Sequence, residues 1–401
     1  MSQTVIMYDP PSQQQQNVRT VYKVQKGVSV VASTIKLTNL KINPNVTKCY
    51  FPAMGGAYLS LKQVELLIGD KPVDLFLSKQ CINFKNSLGT PDYQYNILAN
   101  LAGTSNNVYQ DVELGKLTFS YYTVDDIAQC IEFKHMLDYL NNRMVIDEGL
   151  TIILTWDSSN LDWLVTGGDP TAQNPTSVNI DPGYLSYEVL TDHNLPKQDI
   201  VNFKQTIEEV VLLPAISLGP IGNLDNQTQL WEQRMNSLRE KFVSRVLFVN
   251  EPLGVLSDIA NNKLTFGRYA SYGMNNEYIN IVIDGNQRLT FKGFSNNAHK
   301  LAMTADTFGE GSSTMTSFFL PKDPAAVDIT GESVNSLQNY YSYLGVELNS
   351  FVEKECVIQY NRTSTVVADY PSSNAPMKLY MISEVLKQHN TQTGVCSYVR
   401  V

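Results

Sequence analysis

Apolar and polar residues alternate with a period of two along much of this chain, in short runs closed by Gly, Pro, Asn or Asp. That is the pattern of strands with one buried face. In the first half the runs fall at 21–31, 33–40, 57–68, 73–77, 117–123, 151–156 and 184–190. In the second half they fall at 242–249, 278–283, 288–294, 315–320, 356–360, 365–368, 378–386 and 395–399. Two stretches break the alternation. Residues 125–143 open on Asp125 and Asp126, place Ile127, Ile131, Phe133, Leu137 and Leu140 at near-helical spacing, and close on Arg143. This predicts a helix whose end charges suit its dipole. Residues 226–241 read as a second helical segment.

The order of these elements occurs twice. YLSLKQVELLIGD around Tyr58 and YINIVIDGNQRLTF around Tyr278 each carry alternation into a tight Gly-Asp or Asp-Gly turn, as hairpins do. After the first come GKLTFSYYT, the helical stretch, GLTIILTWD, a Pro/Gly-rich loop and YLSYEVLTD. After the second come TMTSFFLP, GESVNSLQNYYSYL, ECVIQY, a loop with Pro371 and Pro376, and KLYMISEVL. A shared order with little shared identity is the mark of an old duplication. A chain of 401 residues is long for one core and sufficient for two of roughly 200. The expected organisation is a flexible N-terminal arm at 1–18, containing Pro10, Pro11 and a run of glutamines, then domains at 19–200 and 201–401. The polar stretch 193–209 reads as the linker between them. The expected fold class is all-β, two consecutive sandwiches with short inserted helices.

Charged residues make up only 17% of the chain, and 22 tyrosines supply apolar area with a polar tip, which favours broad uncharged contact surfaces. A net charge of -9 with no Lys/Arg cluster argues against direct nucleic-acid binding. No apolar run is long enough to span a bilayer, and the first 30 residues lack a signal-peptide pattern, so the chain is expected to be soluble and unsecreted. Cys49, Cys81, Cys130, Cys356 and Cys396 are odd in number and scattered, as free thiols filling apolar space are.

Candidate chemistry is sparse. Phosphate-loop, dinucleotide, zinc-protease, calcium-loop and nucleophile-elbow motifs are all missing from the sequence. The glycines at Gly167, Gly168, Gly309 and Gly311 read as turns. His135, His193, His299 and His389 share no ligand spacing with one another or with a cysteine. The acidic pairs Asp125-Asp126 and Glu208-Glu209 read as solvated helix-start residues rather than an acid and base. Trp156 is expected in the core, and Trp163 in the core or at a contact. Catalytic, cofactor-binding and metal residues are therefore all expected to be none.

CYFPAMGGAYLSLKQVELLIGDKPVD at Cys49 to Asp74, with the repeated strand order, resembles the double jelly-roll major capsid proteins of double-stranded DNA viruses. This is the lineage of tectiviruses and adenovirus hexon, and the likeness is nearest to virophage and Polinton-like capsid proteins. The resemblance implies two eight-stranded jelly rolls and a pseudo-hexagonal homotrimer tiling an icosahedral virion shell. It also implies neighbouring trimers and vertex or minor capsid proteins as partners, with no enzymatic activity and no cofactor. It leaves open whether a membrane lies beneath the shell. Because the chain is short for this lineage, its outer loops are expected to be modest, with 160–183 and 253–276 the main insertions. The alternatives are a single-jelly-roll vertex or minor capsid protein, and a β-sandwich that binds or acts on glycans.

Overall fold

The computed structural model describes residues 4–15, 18–51, 56–76, 108–111, 116–119, 122–123, 129–134, 136–158, 161, 164, 173–191, 198–213, 228–252, 278–292, 343–363 and 377–400. Strands dominate them. Eight strands frame the first half: β1 (Thr4–Asp9), β2 (Arg19–Val24), β3 (Lys36–Pro44), β4 (Leu61–Ile68), β5 (Lys71–Phe76), β6 (Gln129–Glu132), β7 (Leu150–Trp156) and β8 (Tyr184–Leu190). Eight more frame the second: β9 (Ile200–Leu213), β10 (Thr228–Arg234), β11 (Lys241–Pro252), β12 (Tyr278–Ile283), β13 (Asn286–Lys292), β14 (Tyr343–Val352), β15 (Cys356–Thr363) and β16 (Met377–Asn390).

Pairing is antiparallel throughout and runs β1-β8-β3-β6 and β2-β7-β4-β5 in the first half. In the second it runs β9-β16-β11-β14 and β10-β15-β12-β13. Adding eight to each label of the first set yields the second. This is the strand order of a jelly roll, in which successive strands alternate between the two sheets except at one hairpin, β4–β5 in the first roll and β12–β13 in the second. The hairpins matched by sequence are the same element in each roll. Gly69-Asp70 (φ 54° and 65°) joins β4 to β5, and Asp284-Gly285 (φ 51° and 77°) joins β12 to β13. Two positive φ values in a two-residue loop define the turn whose twist suits a hairpin. Asp284 also accepts hydrogen bonds from the N–H groups of Glu353, Lys354 and Glu355 (3.0, 2.7 and 3.0 Å), so its carboxyl is held below the usual range by those bonds despite an opposing desolvation.

Inward residues of the first roll, among them Tyr22, Leu37, Val64, Leu66, Ile152 and Leu185, form one buried cluster. Val243, Phe248, Ile281, Ile358, Met381 and Val385 belong to a second. Trp156 lies in the core as expected, its indole N–H donating to Thr20 Oγ1 at 2.8 Å.

Three sequence expectations are corrected. Neither helical segment is an α-helix in its described residues. Within 125–143 the described residues form β6 and one 3-10 turn (Asp138–Asn141), while those within 226–241 form β10, the turn Asn236–Leu238 and the start of β11. Ile131, Phe133, Leu137 and Leu140 are all buried, but a strand followed by a turn buries them as well as a helix would. The stretch 193–209 is no polar linker from residue 200 onward, because it begins the fourteen-residue β9. Within the segment 1–18 expected as a flexible arm, Thr4–Asp9 is β1, paired along its full length with Leu190–Leu185. Gln13–Gln15 pairs with β2, and Ser12 Oγ donates to Val21 O at 2.8 Å.

Candidate assembly surfaces

Among the described residues no three His, Cys, Asp or Glu side chains gather as a metal site. His135, His193, His299, Asp125, Asp126, Cys81, Trp163 and the glycines Gly167, Gly168, Gly309 and Gly311 lie outside the described residues. Glu208 and Glu209 are not at a helix start. They sit half-buried in β9, and Glu209 accepts a hydrogen bond from the Ser237 hydroxyl. Cys49 and Cys356 are buried, and Cys130 and Cys396 are half-buried. Burial pushes the Cys130 and Cys356 thiols up to about 11 and about 12, away from the reactive thiolate. On the outer face of β1, β8 and β3 lies an open groove of about 300 Å³, lined by Ile6, Tyr8, Lys36, Glu132 and Glu188 among others. Its Glu132 is bridged to Lys134 at 3.2 Å. No helix of the described residues is long and apolar enough to cross a membrane.

The distinctive geometry lies where the two rolls meet. Val201, Phe203, Leu247, Tyr380 and Ile382 of the second roll belong to the buried cluster of the first, so one apolar core crosses the junction. The first roll contributes β5 and the turn Asp138–Asn141, both packed on β9. The Tyr139 ring stands edge-on to Phe203, centroids 5.2 Å apart, and its hydroxyl shares a 2.9 Å hydrogen bond with His389 Nδ1. Asp138 Oδ2 accepts the Lys204 N–H at 2.8 Å, the Lys387 ammonium donates to Val73 O at 3.1 Å, and the Lys71 ammonium donates to Thr393 O at 3.2 Å.

His389 is fully buried, and its Nε2 has no hydrogen-bond partner among the described residues. Burial, with Lys71 and Lys387 nearby, lowers its pKa and favours the neutral ring. Burial likewise lowers the pKa of Lys387 and raises that of the Tyr139 hydroxyl. The four histidines offered no spacing signal, and only the fold shows that one of them is a structural wedge between rolls.

The outer edges are different. Val5, Ile6, Met7 and Tyr8 of β1 are 41–57% exposed, and β9 exposes Ile200, Val210 and Leu212. Both are first strands of their rolls and edge strands of equivalent sheets.

No family model matches the chain, and no curated protein matches it. Solved structures do. The mavirus major capsid protein superposes with a TM-score of 0.54 at 12% identity, covering 98% of this chain and 89% of that one. The Sputnik virophage structure gives 0.59 at 10% identity, covering 99% and 88%. The capsid of the virus PBCV-1 gives 0.56 at 9% identity, covering 100% and 97%. The fold is the viral double jelly roll. At such identities the likeness is one of backbone, and it spans both rolls and nearly the whole of each compared chain.

Proposed function

We propose that this protein is a major capsid protein whose homotrimers have a pseudo-hexagonal outline and tile an icosahedral virion shell. The observation that carries the reading is the repeat of one eight-strand order in two rolls joined by a buried apolar junction. Three such chains around a three-fold axis bring together six similar units, so three-fold symmetry produces a nearly hexagonal tile. The mavirus structure, a major capsid protein, and the PBCV-1 capsid supply the parallel in fold. The single-roll vertex alternative does not fit a chain with two complete strand orders.

The protein's work is then to convert buried area into shape. Obligate interfaces of roughly 2,000 Å² or more hold the trimer, while many weaker contacts between trimers act together in the shell. Its partners are copies of itself, neighbouring trimers and vertex or minor capsid proteins, and its place is the virion. The net charge of -9 suits a shell that touches no nucleic acid directly. Electron micrographs of the purified protein are expected to show particles with six lobes and a hexagonal outline. Two-lobed particles alone would contradict the proposal.

A further inference from the structure

His389 is the only histidine among the described residues, and it is shut between the two rolls. β16 holds it in register with Val201 of β9 on one side and with Cys396 of the short strand Val395–Tyr398 on the other. The first roll closes over it with Tyr139, whose ring is tilted against the imidazole at a centroid distance of 5.7 Å and whose hydroxyl meets Nδ1 at 2.9 Å. Charged and titratable groups approach from every element packed there. β5 brings Lys71, held to Thr393 O, and the buried Asp74, near Lys387 and Tyr398. β16 adds Lys387, held to Val73 O with its ammonium 5.9 and 5.6 Å from the ring centroids of Phe203 and Tyr398. Glu148, just ahead of β7, lies near Tyr139 and Cys396.

A neutral imidazole suits this setting. In either tautomer Nδ1 serves the Tyr139 hydroxyl, accepting from it or donating to it. The imidazolium carries N–H on both nitrogens, so Nδ1 can only donate, and Nε2 holds a proton that no described residue accepts. Desolvation disfavours the charged ring first, and repulsion from Lys71 and Lys387 adds to it; with Asp74 and Glu148 present the net direction is still toward the neutral form. We propose that His389 is an acid-sensitive catch between the rolls: as it takes up a proton in mildly acidic solution, the Tyr139 turn lifts from β9 and β16 while each sheet stays paired. The direction in pH follows from which state binds the proton. An opened junction admits water to the ring, which then titrates near its ordinary value of about 6.5, whereas the closed junction takes the proton only at lower pH. Closure is therefore at full strength above that value and weakens as pH falls through it, by about tenfold in equilibrium constant per pH unit at most. The catch lies within one chain and does not depend on how many chains assemble.

Hydrogen–deuterium exchange of the full chain tests this, read at peptides spanning 136–142 and 198–206 and corrected for the intrinsic pH dependence of amide exchange. Between pH 7.5 and 5.5 the protection of both peptides is expected to fall about five- to tenfold, the effect of one proton taken up near a pKa of about 6.5. Peptides within β12 and β15, which lie in the other sheet of the second roll, are expected to keep their protection. In His389→Asn the fall is expected to vanish, because the amide oxygen can stand where Nδ1 stands and does not titrate in this range. An equal fall in that variant, or a fall shared by β12 and β15, would overturn the proposal.

Should His389→Asn fail to fold, the wild-type chain decides through the slow exchange of the imidazole Cε1 proton, whose rate follows pH with the pKa of the ring. His389 is expected to titrate well below about 6.5 and to exchange several-fold more slowly than an exposed histidine. Fast exchange with a midpoint at about 6.5 would show a ring already open to water and would overturn the proposal.

Discussion

Replacing Arg245 with leucine is expected to destabilise the second roll by about 3–5 kcal/mol, because it removes the guanidinium that is ion-paired with a buried carboxylate. Arg245 on β11 is paired with Glu384 on β16, and their side chains form an ion pair. The exposures set the direction. The Glu384 side chain is 2% exposed and that of Arg245 is 22% exposed, so the carboxylate has no route to water while the guanidinium does. β16 is an inner strand of its sheet, flanked by β9 and β11, which leaves Glu384 opposite Thr206 and Arg245. Urea unfolding followed by tryptophan fluorescence measures the loss. Glu384→Leu added to Arg245→Leu is expected to recover most of it, since a buried ion pair exchanged for apolar side chains of similar size is often neutral or favourable. A single substitution costing less than about 1 kcal/mol would mean that the pair behaves like an exposed surface bridge.

Gly183→Ala is the second large effect, and it acts through the backbone. Gly183 has φ +70°, and a Cβ there would stand 2.2 Å from Thr38 O and 2.7 Å from the backbone of Asn39. Thr38 pairs with Tyr184 at the start of β8, so the clash falls on the ladder that joins β8 to β3. Asn39 already has φ 58°. The Tyr22 hydroxyl, fully buried, donates to Pro182 O at 2.9 Å and Gly183 O at 3.1 Å, so moving this turn also disturbs a buried donor. The left-handed conformation costs roughly 1–2 kcal/mol, and an unsatisfied buried hydroxyl costs about 1–3 kcal/mol more. The melting temperature is expected to fall by about 6 °C or more. Gly27→Ala is the control: φ is +87°, but nothing lies within 4 Å of the added carbon, so only the conformational cost applies. Equal losses in the two variants would show that the contact with Thr38 is relieved without cost.

How far the fold was legible depended on how clean the local signal was. The hairpins β4–β5 and β12–β13 were plain because alternation ran straight into Gly69-Asp70 and Asp284-Gly285. β7, β8, β15 and β16 were found in matching order, and the topology confirms that order. β9 was hidden because Lys204, Glu208 and Glu209 dilute its alternation, and its inward Val201 and Phe203 face another roll. β1 reads as an arm in sequence because six residues beside prolines and glutamines carry little pattern, and its partner β8 lies far along the chain. The spacing of Ile131, Phe133, Leu137 and Leu140 suggested a helix because a strand leading into a 3-10 turn can bury the same positions.

The surfaces were less legible than the strands. The absence of motifs was readable, but the wedge of His389 against Tyr139 joins residues far apart in sequence and has no local signature. The contrast between β1 and β9 is visible only when burial is compared across the two rolls.

The mass of the purified protein in solution, measured by size exclusion with light scattering across a dilution series, tests the central claim most directly. A species of about 135 kDa, three chains of 44.9 kDa, that persists on dilution is the predicted result. A single species of 44.9 kDa at every concentration would contradict a trimeric capsid building block.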